Sequence, residues 1–450
     1  MENLWILTEE SPRKQNIGEI IKLIDQEVDI KSLKIKPRFE DFMFSYVYDV
    51  ENIKSKKFDN VFIKIASGRS SFYDFLVFLQ EDQPSVKNQE KNNLICAIEE
   101  TKTNDSESRN TGIYQRSSKF VYIDLFYENI DKYMMYSYDS NFDKTKTPSD
   151  TNIFGTNMLL TIGTKFIGKN MNHNFKKFES IKEVIEFKDA MASPPQTNVP
   201  IELTKYPNRI EISGRLSKPS DAGNIGHDPS IGALSIISKT LRELGWKKDI
   251  VITRHGVNQD YINRSRGNKF LYIAKMLSIK LKGIDLPDIN YPNKYWNYET
   301  KKEKVTSIFL HVLAEYNDIR AIYENHGGCE RGYFKTINDI NITLPKKAKN
   351  GENLLIPDLI LHMKDKNKIL LIEGKKYKYM TSGIEELEGY HAIENEFIKE
   401  HYPDCEIERW VTTSGDYLSK IPHEKVLLHI NEDGQIFVND QADSKIKVMF

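Results

Sequence analysis

The chain has 450 residues and a formal net charge of −1, with 39% hydrophobic and 29% charged residues. That length supports two or three domains with real cores, and the charge excludes a globally basic nucleic-acid binder, so any such surface must be a local stripe. No apolar run approaches the ~18 residues of a membrane helix. The opening residues, MENLWILTEESPRKQ, carry acids and no long apolar core, which reads against a signal peptide. Cys96, Cys329 and Cys405 match no metal or redox spacing. A reduced, cytoplasmic protein is the expectation.

Residues 17–24 fit a short helix. Residues 37–50 place aromatic side chains at mixed spacing and suit helix or strand equally. Three strands are then expected, at 60–67 (NVFIKIAS), 71–80 (SFYDFLVFLQ) and 93–102 (NLICAIEETK). The last ends in charge, and alternation sets Glu100 and Lys102 on one face. A polar helix-like stretch follows, with Arg109, Asn110, Gln115 and Arg116. Residues 121–127 read as a strand, 157–170 as a strand pair and 175–191 as a helix. MASPPQTNVP, at 191–200, is the best linker signal in the chain.

Residues 201–283 differ in character. A strand is expected near 208–217. Asp228-Pro229 reads as an N-cap with proline at the first helical position, and Gly245 as the matching C-cap. A strand at 247–253 leads into RHGVNQDYINRSRGNK, a loop rich in side chains that read bases, among them Arg254, Asn258, Gln259, Arg264 and Arg266. A helix is expected over 270–282. A second proline-rich linker then carries Trp296 and several tyrosines suited to packing on a neighbour.

The most informative stretch is 354–376, LLIPDLILHMKDKNKILLIEGKK. It reads as two strands around a polar turn. The period of two puts Glu373 and Lys375 on one face, and hairpin pairing brings Asp358, which follows Pro357, towards Glu373. Two carboxylates and an ammonium at a sheet end suit a hard divalent cation and a phosphodiester.

Pro357-Asp358, a 14-residue spacer (359–372) and Glu373-Gly374-Lys375 together resemble the PD-(D/E)XK nuclease signature. The order expected around it also resembles that superfamily's core: an amphipathic helix at 303–325, a first strand within 333–344, the two strands above, a helix at 384–400 and a strand at 406–412. Glu315 or Glu324 on the first helix would be a further metal ligand in some relatives, and otherwise lies on a solvated helix face. A hairpin through 432–434 extends the sheet. Asp74, a 25-residue spacer (75–99), Glu100 and Lys102 resemble the same signature more loosely.

The reading is therefore an α/β protein with mixed sheets flanked by helices. It has a nuclease-like module at 1–190, a recognition or linker region at 191–300 and a second nuclease module at 301–450. The resemblance implies a type II restriction endonuclease acting on double-stranded DNA with Mg²⁺. It implies Asp358, Glu373, the Gly374 carbonyl, Asp74 and Glu100 as metal ligands, and Lys375 and Lys102 beside the attacking water. Arg109, Gln115, Arg116 and the loop residues 254–266 would contact DNA. A monomer or homodimer is expected, with a partner methyltransferase. The rival readings are a repair or junction nuclease that reads DNA shape, and a DNA-binding protein with inactive cores.

Overall fold

The computed structural model describes residues 2–68, 71–101, 112–136, 148–169, 171, 175–191, 201–218, 220, 223–300, 303–326 and 333–449. The protein is α/β with mixed sheets, and its chain divides into two compact units that are not consecutive in sequence. One comprises Met1–Ser67, Leu79–Gln83 and Tyr298–Phe450; the other comprises Gly68–Phe78 and Pro84–Asn297. This differs from the three-part division expected from linkers. Among the described residues, no helix is long and apolar enough to cross a membrane.

Strand β1 (Phe75–Gln80), most of which lies in the second unit, pairs antiparallel with β2 (Leu94–Thr101). Helix α1 (Gly112–Tyr122) follows, and β3 (Asp131–Tyr136) then lies parallel to β2. The expected strand at 121–127 is instead the end of α1 and a 3-10 turn. Where a strand pair is expected at 157–170, a helix, Asp150–Thr161, covers the start and one short strand, Lys165–Ile167, follows. Ser149 starts that helix by accepting the Asn152 N–H, a capping signal that outweighs the apolar run Met158–Leu160.

The region at 201–283 belongs to this unit. Its strands pair in the order Ile279–Leu281, Asp249–Thr253, Arg209–Ser213, Glu202–Lys205. Its helix Asp228–Glu243 packs on α1. A Cβ on Gly232 would sit 1.6 Å from the Tyr114 carbonyl oxygen, so only glycine permits that crossing. Asp228 is the first helical residue rather than the cap. The helix expected over 270–282 stops at Met276. Trp296 is buried as expected, its indole N–H donating to the Tyr127 hydroxyl at 2.9 Å.

In the first unit, helix α2 (Lys304–Tyr316) is followed by β4 (Arg320–Glu324), β5 (Leu359–Met363), β6 (Lys368–Lys376), α3 (Met380–Leu387) and β7 (Glu406–Ser414). The strands run β4-β5-β6-β7, antiparallel twice and then parallel, and the hairpin Val426–Ile430/Ile436–Val438 extends the sheet. The expected first helix is shorter. Asp318 turns left-handed (φ 59°) and ends it, and the β-favouring RAIYE becomes the first strand. Residues 333–343 form a separate two-stranded hairpin instead. Helical structure continues past α3 to His401 through 3-10 and π turns.

The ambiguous residues 37–50 form a long hairpin, Asp29–Glu40 with Met43–Lys54. Its aromatic residues explain why the N-terminus joins this unit. Phe39 and Phe44 lie on Phe309 of α2, and the Phe44 N–H donates to the Gly434 carbonyl at 2.8 Å. An aromatic face without a partner nearby in sequence finds one 265 to 270 residues later.

Candidate active site

Strand β6 is buried from Ile369 to Ile372. Its pairing with β5, Leu359 opposite Ile372, sets Asp358 across from Glu373. Main-chain groups hold Asp358 in place. Its Oδ2 accepts the Gly374 N–H at 2.9 Å, and its carbonyl accepts the Asn325 N–H at 2.8 Å. Glu373 Oε1 accepts from Lys375 Nζ at 2.8 Å, and Oε2 accepts from the Tyr390 hydroxyl. Lys375 Nζ also lies 2.9 Å from Glu386 Oε2 on α3. Structure thus brings Asp358, Glu373, Gly374 and Lys375 together.

Burial, and then the Glu373 carboxylate, push Asp358 well above the usual carboxylate range. Burial likewise raises Glu373, against the pull of Lys375 and Tyr390. Burial alone would lower the Lys375 ammonium, but Glu373 and Glu386 outweigh it and raise it. Lys375 is therefore charged at neutral pH, a donor and not a proton acceptor. Three carboxylates, Asp358, Glu373 and Glu386, surround this one ammonium, a net charge of −2 when all are ionised. A hard divalent cation balances that charge, so the donor set fits Mg²⁺.

Glu386 and Tyr390 escaped the sequence reading. The available signal was their spacing of four on the helical run that follows β6.

Glu324 lies on β4, not on a helix. It forms an ion pair with Arg13, and its carboxylate clusters with His311 and His326, potential ligand atoms all lying within 4.8 Å of one another. The His326 ring is fully engaged: Nδ1 with Ser307 Oγ at 3.0 Å, Nε2 with His311 Nδ1 at 3.1 Å. Burial, then His311, lower His326 to about 3, with Arg13 and Lys304 adding to the effect and Glu324 opposing it. A histidine held neutral stabilises the fold fully above its unfolded value near 6.5. That contribution fades as pH falls from there towards 3. Thermal unfolding followed over this window should show His326→Gln losing less stability on acidification than the wild type. Parallel curves would mean that His326 protonates freely in the fold. Glu315, on α2, lies 3.4 Å from His311 Nε2; burial raises its carboxyl, but the His311 hydrogen bond together with the His311 and Lys14 charges outweighs burial and holds it below the usual range.

The first acidic set needs correction. The register Phe75 opposite Ile98 sets Asp74 across from Glu99, not Glu100. Glu100 instead donates its main-chain N–H to Asp74 Oδ2 at 2.6 Å. Two adjacent glutamates lie near the strand end, and the sequence reading paired Asp74 with Glu100 where the register faces it with Glu99. Glu99 is 1% exposed, and both its oxygens accept from Lys119 Nζ at 2.7 Å. Burial, then Asp74, push Glu99 up to about 8. Lys102, like Arg109 and Asn110, falls outside the described residues.

Of the expected DNA-contacting residues, Arg116 is buried: its Nε donates to the Glu100 carbonyl at 3.2 Å and its Nη1 to the Gly112 carbonyl at 3.3 Å. That reading is corrected, because the guanidinium braces α1 against β2. Gln115 is exposed. Asn258 caps a short helix through the Tyr261 N–H, and Gln259 exchanges hydrogen bonds with the Asp285 backbone. Both therefore have structural work. Arg254, Arg264 and Arg266 are exposed.

No protein-family model, no curated protein and no solved structure matches this chain.

Proposed function

We propose that the protein is a Mg²⁺-dependent endodeoxyribonuclease of the restriction type, hydrolysing double-stranded DNA at Asp358, Glu373 and Lys375. One observation carries the reading: hairpin register and the Gly374 N–H fix the Asp358 and Glu373 carboxylates side by side, with a charged lysine donating to Glu373. The order helix, antiparallel strands, helix, parallel strand around them supports it. A cytoplasmic location and a partner methyltransferase accompany this reading.

Mg²⁺ held by Asp358, Glu373 and the Gly374 carbonyl would supply Lewis-acid stabilisation of the phosphoryl oxygens and a more acidic water. Lys375, kept protonated, orients the attacking water and donates to phosphate oxygens. Tyr390 fixes the Glu373 carboxylate, and Glu386 steadies the ammonium. In-line attack yields a 5′-phosphate and a 3′-hydroxyl.

The test is incubation of purified protein with phage DNA and Mg²⁺, followed by sequencing of the cut ends. A recurring sequence at the ends is expected. Ends that follow junctions or flaps would favour a nuclease reading DNA shape. Ca²⁺ should support binding without cutting, since it takes the oxygen ligands in a larger, looser shell. DNA left intact in Mg²⁺ and Mn²⁺ would overturn the proposal.

Arg254, Arg264 and Arg266 are the expected readers. A bidentate Arg–guanine contact is worth about 1–3 kcal/mol of discrimination, so each alanine variant should weaken binding roughly tenfold or more. Gel-shift titrations at fixed salt check this, and unchanged affinity in the triple variant would move recognition elsewhere.

A further inference from the structure

Apart from the Asp358 carboxylates, the first unit gathers a second set of ligating side chains. His311 comes from α2, Glu324 from the end of β4 and His326 from just beyond it. His311 Nδ1 stands 3.1 Å from His326 Nε2 and 3.4 Å from Glu324 Oε2, and that oxygen stands 3.8 Å from His326 Nε2. Zinc holds imidazole nitrogen and carboxylate oxygen at about 2.0–2.2 Å, so ligand atoms on a tetrahedral ion lie about 3.3–3.6 Å apart. The three edges observed here bracket that spacing.

The groups behind each ring fix which nitrogen carries the lone pair. Glu315 Oε1, an acceptor, lies 3.4 Å from His311 Nε2, so in the neutral ring this nitrogen carries the proton and Nδ1 the lone pair. Ser307 gives its hydroxyl proton to the Lys304 carbonyl at 3.1 Å, so its oxygen accepts from His326 Nδ1 at 3.0 Å and His326 Nε2 keeps the lone pair. Two lone pairs and a carboxylate oxygen therefore converge, and nitrogens so close call for a positive centre beside them. An acceptor behind each ring is the arrangement that orients metal-bound histidine, and ligating carboxylates are themselves hydrogen-bonded, as Arg13 does here at Glu324 Oε1. Neutral imidazoles bind zinc by donating lone pairs, so the site needs no surplus of negative charge.

We infer that His311 Nδ1, His326 Nε2 and Glu324 Oε2 form a tetrahedral zinc site. The ion replaces the direct contact between the two rings. A water completes its shell beside Ser11 Oγ, which lies 3.0 Å from His311 Nδ1. Imidazole ligands suit zinc, whereas the carboxylates of Asp358 and Glu373 suit Mg²⁺, so the two sites take different metals. The role of the zinc is structural. Asn325 lies between two of its ligands, and the Asn325 N–H holds the Asp358 carbonyl at 2.8 Å. The ion thus ties α2 to β4 behind the strand that carries Asp358. The site rests on its own geometry and not on the function proposed above.

The experiment uses the full chain, stripped of metal by a chelator and then held in excess Mg²⁺ to occupy oxygen-ligand centres. Zn²⁺ is titrated by calorimetry, and Co²⁺ is added in its place for visible spectroscopy. Wild type should bind one Zn²⁺, melt later with it and give with Co²⁺ the intense visible bands of a tetrahedral ion. Glu324→Gln and His326→Gln should each weaken Zn²⁺ binding roughly a hundredfold or more and lose the melting shift. Glu315→Gln, a half-exposed position that touches no metal, guards against a folding artefact. It should weaken Zn²⁺ binding about tenfold and keep the Co²⁺ bands. Failure of wild type to bind Zn²⁺, wild-type affinity in both ligand variants, or the pale spectrum of six-coordinate Co²⁺ would each overturn the site. DNA cutting enters none of these readings, so the nuclease proposal stands or falls separately.

Discussion

Glu373→Gln is expected to reduce DNA cleavage at the Asp358 site by about a thousandfold, on the order of 4 kcal/mol of transition-state stabilisation, while leaving DNA affinity nearly unchanged. The amide keeps the shape and still accepts from the Tyr390 hydroxyl, so the loss is one of charge. The same change relieves Asp358. Its carboxyl is raised first by burial and next by Glu373, so a neutral neighbour makes its ionised form cheaper. Metal-free Glu373→Gln should therefore unfold no earlier than wild type, although its activity is gone. Lys375→Ala separates the two effects. It should also abolish cutting, but it leaves Glu373 and Glu386 without the ammonium that both contact. A charged group stripped of its partner in a buried site is destabilising, so this variant should melt earlier. Differential scanning calorimetry beside strand-specific cleavage assays reads both quantities. Full cleavage by Lys375→Ala on both strands would remove this site from the account.

The C-terminal site was legible because its chemistry is local in sequence. A period-two strand ending in Glu373 and Lys375 leaves little choice of face, and a four-residue turn, 364–367, fixes the register with Asp358. Residues 60–67, 75–80 and 94–101 were legible as strands for the same reason. What sequence could not resolve was everything set by partners distant along the chain. Residues 37–50 are a strand hairpin because Phe39 and Phe44 meet Phe309, and no window around them contains that information. Glu324 belongs to a strand because Asp318 takes a left-handed turn that ends the helix, a conformation open to aspartate but not signalled by hydrophobic spacing. At 99–101, two adjacent acids made both registers plausible, and the decision rests on a cross-strand pairing. The Lys119–Glu99 ion pair was not legible because helix α1, and not a motif, carries the lysine to Glu99. In the polar loop, Asn258 and Gln259 look like base readers from sequence, and in the structure they cap a helix and brace the Asp285 backbone.

Gly374→Ala should disable the same centre through packing rather than charge. A Cβ at this position would lie 2.6 Å from the Glu303 carbonyl oxygen and 3.1 Å from both Asp358 Oδ2 and Ser307 Oγ. The first of these is backbone at the start of α2 and cannot rotate aside, so strand β6 and the helix must separate. Overpacking of this kind costs about 1–3 kcal/mol. The displacement falls on the main-chain N–H that holds the Asp358 carboxylate, so the carboxylate pair loses its spacing as the strand shifts. Gly374→Ala should therefore lower the melting temperature, weaken Mn²⁺ binding at this site and cut cleavage by more than tenfold, all without removing a charged atom. The control is Gly351→Ala, at a left-handed turn where nothing lies within 4 Å of the added carbon. It should lose some stability through backbone strain but keep Mn²⁺ affinity and cleavage. A Gly374→Ala protein with wild-type melting and wild-type cleavage would mean that α2 does not press on β6 in solution, and that Asp358 is positioned by other groups.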